Sequence, residues 1–268
     1  MDEERTGAGQ NGAARTEVSV GLGTAEILRA GEGPPLLFLH AAGAGGMWSP
    51  CHAKLAERFD VVAPSHPGFG GSPLIDGVDD VEDLVYHYLE LLDLLGLERV
   101  TIVGESFGGW IAAELAAHSP HRVEKLVLMG APGLRIPGET PFDVFLATPE
   151  QLVGHLFHDL SIPARIFPSE PGIEEIVAAY TEQSAFARYA FTPFLNDPKL
   201  ERRLSRIKSP SLVIWAEHDK LIPRAHGERY AERIPGAELQ IVADSGHALT
   251  AEQPEATAAA ILDFAAAA

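Results

Sequence analysis

Cysteine is nearly absent: Cys51 stands alone among 268 residues, so no internal disulfide can form and no cross-link supports the fold. Long apolar runs are missing too. None approaches the roughly 20 residues that cross a bilayer, and the polar, glycine-rich stretch Met1 to Arg15 carries no apolar signal segment. Basic residues are scarce, with 20 Lys and Arg against 38 Asp and Glu, a formal net charge of −18. Such a surface repels phosphate, which argues against nucleic acid and anionic membrane as partners. These shortages lead us to expect an acidic protein of a reducing, cytoplasmic compartment.

Two patterns that would bring in a cofactor or a metal fail on context. Gly7-Ala8-Gly9-Gln10-Asn11-Gly12 spells G-x-G-x-x-G, yet no strand precedes it and no apolar helix follows. His155 and His158 lie three apart without a third ligand or an H-E-x-x-H. No metal and no organic cofactor is therefore expected, and residues 1–16 read as a disordered tail.

What remains suits one α/β domain with an insertion. Residues 17–21 and 24–29 read as a hairpin around Gly21-Leu22-Gly23. Leu36-Leu37-Phe38-Leu39 is an apolar run of inner-strand length. Val81, Leu84, Val85, Tyr88, Leu91, Leu92 and Leu95 keep the spacing of a one-faced helix, with Asp79 or Asp80 to cap its start and Gly96 its end. Strands and helices alternate through 17–132 and again through 207–268, which implies a mostly parallel sheet covered on both faces. Between them, residues 133–206 hold prolines, short helical fragments and nine of the twenty aromatic residues. That block reads as an inserted helical cap.

The chain is organised around Val103-Gly104-Glu105-Ser106-Phe107-Gly108-Gly109-Trp110. An apolar strand runs in and an Ala-rich helix runs out, so direction must reverse within a few residues. Gly104 and Gly108 flank Ser106 where a Cβ would collide, the G-x-S-x-G pattern that holds a serine hydroxyl in a strained turn. Downstream, Ala216-Glu217-His218-Asp219 and Asp244-Ser245-Gly246-His247 each follow a strand. Loops at the carboxyl ends of parallel strands meet at one edge of a sheet, where ligands bind.

With the Leu39-His40 loop and Pro67-Gly68-Phe69-Gly70, these motifs resemble the α/β-hydrolase-fold serine hydrolases over about residues 17–266. The resemblance implies Ser106 as nucleophile, His247 as general base and Asp219 as the acid that orients it, with Glu217, nearer the strand end, as the alternative acid. It implies an oxyanion hole of the Phe107 N–H and the Ala42 N–H. The family's His-Gly is here His40-Ala41, so Ala41 and Gly43 stay open as the second donor. Glu105 is expected to satisfy loop amides, and His40 to shape its loop through backbone hydrogen bonds. The implied substrate is a small molecule, a carboxylic ester with an apolar part, because pockets are mostly lined by apolar side chains. Trp48, Phe142, Phe145, Arg188 and Tyr189 are candidate pocket residues, although Trp48 also reads as core and the aromatics of 133–206 as the cap's own core. Gly43 to Trp48 and Arg188-Tyr189 loosely resemble meta-cleavage-product hydrolases, in which a cap arginine binds the substrate acid. Carbon–carbon hydrolysis is thus an alternative. Lactonase, amidase or perhydrolase chemistry and a non-catalytic ligand-binding role are the others.

Overall fold

The computed structural model describes residues 12–167 and 170–267. Eight strands among them form one sheet: β1 (Ala14–Val20), β2 (Gly23–Ala30), β3 (Pro35–Leu39), β4 (Asp60–Pro64), β5 (Val100–Glu105), β6 (Val123–Met129), β7 (Ser211–Ala216) and β8 (Glu238–Val242). Their order is β1-β2-β4-β3-β5-β6-β7-β8. β1, β2 and β4 pair antiparallel, and every pair from β4–β3 to β7–β8 is parallel.

Side chains alternate between the two faces of a strand, and the central strands are apolar on both. Leu37, Leu39, Val213 and Trp215 point into one apolar layer, whereas Leu36, Phe38, Leu212 and Ile214 point into the other. α1 (Pro50–Leu55) and α10 (Pro254–Ala266) supply Cys51, Leu55 and Ile261 to the second layer. The first is covered by α2 (Val81–Leu94), α3 (Phe107–His118) and α8 (Arg224–Arg233). In α2 the predicted stripe is buried from Val81 to Leu92. Asp80 caps it by accepting from the Asp83 N–H at 2.9 Å, and Gly96 ends it at φ +68°.

The sheet reaches further towards the N-terminus than the sequence suggests. Ala14, Arg15 and Thr16, expected in a tail, belong to β1 opposite Arg29, Leu28 and Ile27, and the Arg15 guanidinium pairs with Glu26. Most of that tail, and the glycine pattern from Gly7, lies outside the described residues.

After β6 the chain leaves the sheet for α4 (Pro149–Leu156), α5 (Pro163–Ile166) and α6 (Ile173–Ala190). The excursion closes on itself: the Gly133 N–H donates to Leu195 O at 2.9 Å and the Asp197 N–H to Gly133 O at 3.0 Å. α6, at 18 residues, is longer than the short fragments expected. Glu174 and Glu175 sit at its positive end, and the Glu175 carboxylate takes the Gly172 N–H. The return path departs from expectation as well. α7 (Leu200–Arg203) and the turn after it put Leu200 and Leu204, expected in the cap, into the α3 layer, where they pack against α3. α9 (Leu249–Glu252) precedes α10. Among the described residues no helix is long and apolar enough to cross a membrane.

Candidate active site

β5 ends at Glu105 and α3 begins at Phe107, which leaves Ser106 alone to turn the chain. Its φ of 52° and ψ of −117° are sparsely populated for an L-residue and cost about 1–3 kcal/mol. The surroundings impose them. The Ser106 N–H donates to Met129 O at 2.7 Å, and Ser106 O accepts from the Gly109 and Trp110 N–H groups at 2.8 and 3.2 Å. A Cβ on Gly104 would lie 2.4 Å from Gly108 O, and one on Gly108 would lie 2.1 Å from Leu39 O. Both glycines are steric requirements of the turn.

Three distant loops converge here. His247 Nε2 is 2.8 Å from Ser106 Oγ, and His247 Nδ1 is 2.8 Å from Asp219 Oδ2. A carboxylate only accepts, so Nδ1 carries the proton and Nε2 is free to accept from the serine hydroxyl. Asp219 is itself aimed: its Oδ1 accepts from the Leu221 and Ile222 N–H groups at 3.0 and 2.9 Å. Burial pushes the His247 pKa down, but the charge and hydrogen bond of Asp219, with Glu105 adding, bring it above the ordinary imidazole value. Glu217, the alternative acid, faces elsewhere. It is exposed, takes the Asp244 N–H at 3.0 Å, and lies 3.7 Å from His218.

Glu105 accepts from the backbone N–H and hydroxyl of Thr250 at 3.1 and 2.8 Å, which ties β5 to the His247 loop. Burial raises its pKa, and the Thr250 bonds and His247 oppose that. Gly130, just past β6, is a neighbour the sequence reading passed over. A Cβ there would lie 3.0 Å from His247 Cε1.

The loop after β3 is fixed by a pair of buried histidines. His40 Nδ1–H donates to Ala41 O at 2.7 Å, and its Nε2 accepts from the His66 N–H at 2.9 Å. His66 Nε2–H donates back to His40 O at 2.8 Å, and the Tyr88 hydroxyl donates to His66 Nδ1. Burial lowers both pKa values, His40 to about 4, so these rings stay neutral. The Gly108 N–H reaches His40 O at 3.1 Å, which locks this loop to the Ser106 turn. Among the described residues neither the Phe107 N–H nor the Ala42 N–H donates to a protein acceptor.

The candidate pocket residues separate. Tyr189 stacks on Phe107 at 6.1 Å with its hydroxyl donating to Pro67 O, and Phe145 packs on Phe186, which meets Phe107 edge-on at 5.0 Å. Phe186, one of the aromatics of the 133–206 block, is not among the candidate pocket residues, although it lies three residues before Tyr189 and so shares its helix face. Phe142 stacks on His155 at 3.6 Å. Trp48 is buried beside Phe38 and His52 in the α1 layer, and Arg188 pairs with Asp79 ahead of α2. Neither joins the aromatic group over Phe107.

Glu217, His218 and Asp244 bring ligand atoms within 4.8 Å of one another. Glu217 is already bonded to the Asp244 N–H, however, and His218 stacks on His158 at 4.0 Å. Cys51 is fully buried and its thiol pKa is pushed up by that burial, so it is inert.

Comparison with known proteins bears on the family and the fold. The 2-hydroxymuconate semialdehyde hydrolase of Pseudomonas putida is 31% identical over 258 residues, covering 87% of this chain and 88% of that one. A bacterial membrane phospholipase A structure superposes with a TM-score of 0.81 at 25% identity, over 95% of this chain and 86% of that one. The meta-cleavage product hydrolase from Pseudomonas fluorescens IP01 does so with 0.77 at 23%, over 92% and 96%. A model of the alpha/beta hydrolase family matches residues 36–260. The chain belongs to the alpha/beta hydrolase family.

Proposed function

We propose that the protein is a serine hydrolase that attacks the carbonyl of a small carboxylic ester with an apolar part. The observation that carries this reading is the Asp219–His247–Ser106 hydrogen-bonded chain, 2.8 Å at each step. His247 Nε2 takes the Ser106 proton as Oγ bonds to the carbonyl carbon. The carbonyl oxygen becomes an oxyanion, held by the Phe107 and Ala42 N–H groups. Collapse expels the alcohol, which takes the proton from His247, and water then repeats the sequence on the acyl-enzyme. Asp219 keeps the imidazole in the required tautomer and stabilises it when charged. The aromatic group that Phe145, Phe186 and Tyr189, carried by the excursion after β6, form with Phe107 supports an apolar acyl or alcohol part.

The semialdehyde hydrolase relative favours a second reading, cleavage of a carbon–carbon bond. Against it stands Arg188: the arginine that would take the substrate acid is engaged by Asp79. A fluorophosphonate probe should label Ser106 quickly and should not label Ser106→Ala. Turnover of p-nitrophenyl esters of graded length, run beside a dienone-acid substrate, separates the two chemistries. Ester turnover at least ~100-fold faster, about 2.7 kcal/mol of barrier, is the expected result. Preference for the dienone acid would select the second reading, and an unlabelled Ser106 would refute both.

A further inference from the structure

Besides Glu105 at Thr250 and Glu217 at Asp244, a third carboxylate holds the loop that carries His247, at the residue immediately before it. Glu252, at the end of α9, is buried at 8% exposure with no cation paired to it among the described residues. Among the described residues it accepts three hydrogen bonds, all from backbone N–H groups. Oε1 accepts from the His158 and Asp159 N–H groups at 2.8 and 2.7 Å, and Oε2 accepts from the N–H of Gly246, the residue before His247. A fourth bond joins the same two segments directly, from the Ala248 N–H to Leu156 O at 3.0 Å.

The packing leaves this junction no slack. A Cβ on Gly246 would sit 2.5 Å from His158 N, 2.6 Å from Glu252 Oε2 and 2.8 Å from Leu156 O. His158 and Asp159 are exposed, yet their N–H groups are turned inward onto a charged acceptor. Residues on both sides of His247 are therefore tied to the end of α4 and the residues after it, Gly246 through Glu252 and Ala248 directly to Leu156.

We infer that Glu252 is a positioning residue: it fixes the imidazole of His247 by clamping Gly246 to residues 158 and 159, so that the excursion and the general base move as one body. This rests on the reading of His247 as the base. Glutamine has the same shape but only one accepting oxygen, and its NH2 group would face a backbone N–H. Glu252→Gln must therefore release one side of the clamp. A displacement of the base by a fraction of an ångström lowers the attack rate by roughly tenfold, given the roughly 10²-fold that a 1 Å misplacement can cost.

The test is the rate constant for fluorophosphonate labelling of Ser106, measured per labelled site, with KM and kcat for a p-nitrophenyl ester alongside. In Glu252→Gln the rate constant and kcat should fall by about tenfold with KM within twofold. A purely structural role would lower the fraction of protein that labels but not the rate of that fraction. Labelling at the wild-type rate would overturn the inference. Wild-type protein that does not label would sink the reading of the base itself, a separate and recognisable failure. Amide hydrogen exchange in the unmodified protein decides the matter if the variant does not fold. Gly246, His158 and Asp159 should be protected and open together, and free exchange of the two exposed residues would overturn the clamp.

Discussion

Gly130 offers a perturbation whose size follows from the geometry. Its φ is +55°, and its N–H is fixed on Ile214 O at 3.1 Å, so the backbone cannot swing away. In Gly130→Ala the new methyl would stand 3.0 Å from His247 Cε1, 3.2 Å from Nδ1 and 3.5 Å from Asp219 Oδ2. Ordinary carbon contacts are about 3.5–4.0 Å, so the ring must retreat by about 0.5 Å. Sites of this kind tolerate displacements of about that size and no more. If a full ångström costs roughly 10²-fold, half of that costs about tenfold in kcat. The left-handed backbone adds about 1–2 kcal/mol of instability, a fall in Tm of about 2–4 °C per kcal/mol. Ester turnover, Ser106 labelling per site and a thermal melt measure the three effects. A variant with a lowered Tm but kcat within twofold of the parent would show that the imidazole does not feel this wall, and would refute the reasoning.

Two further predictions follow from the charges. Since His247 must be neutral to accept a proton and its pKa is raised, kcat/KM should fall with acid through a midpoint above about 6.5. Asp219→Asn removes the largest raising influence and leaves burial, so that midpoint should drop below 6.5 while the plateau falls ~10⁴-fold; an unmoved midpoint in pH–rate profiles would contradict the assignment. Glu114, on α3 beside Arg203, has its pKa raised to about 7 by burial, partly offset by Arg203. The folded state holds this proton more tightly than the unfolded chain, so its stabilising contribution is complete below about 4.5 and is lost as pH rises through about 7. The loss is of order 3 kcal/mol at about 1.4 kcal/mol per unit. Urea melts of Glu114→Gln should show a flatter pH dependence than the parent across that window, and parallel curves would count against it.

The parts of this architecture legible from the letters alone are those where one residue type is sterically or chemically forced. Gly104 and Gly108 could be read because a Cβ there meets backbone, and the α2 stripe because its period matches a buried face. Proximity to the site was harder to read. Arg188 and Tyr189 are neighbours in sequence but about 100° apart around a helix, so one reaches Asp79 and the other reaches Phe107. Phe186, on the productive face, was one turn away. α6 resisted reading because its apolar residues do not form a single stripe: Ile173, Val177 and Tyr180 face solvent while Ala185 and Tyr189 are buried. Glu252 gave no local signal of a clamp, since two of its three partners are backbone groups more than ninety residues earlier.

The neck at Gly133, which bonds to Leu195 and Asp197 on either side of Asn196, has a consequence for how such a protein can change. Because the strand of chain leaving the sheet and the strand returning to it are stitched together at one point, everything in between hangs from a closed ring. The entropy of closing that ring grows only slowly with what it contains, by about 0.6 kcal/mol for each doubling of length. Shortening, lengthening or exchanging the hanging part therefore asks little of the sheet beneath. A graft cut at positions 133 and 196 leaves the serine turn and its partners on their own scaffold, and the junctions it must rebuild are the seam at Gly246, the Tyr189 and Phe186 packing on Phe107, the Tyr189 bond to Pro67 O, the Arg188–Asp79 pair and the Phe142 N–H bond to Leu221 O.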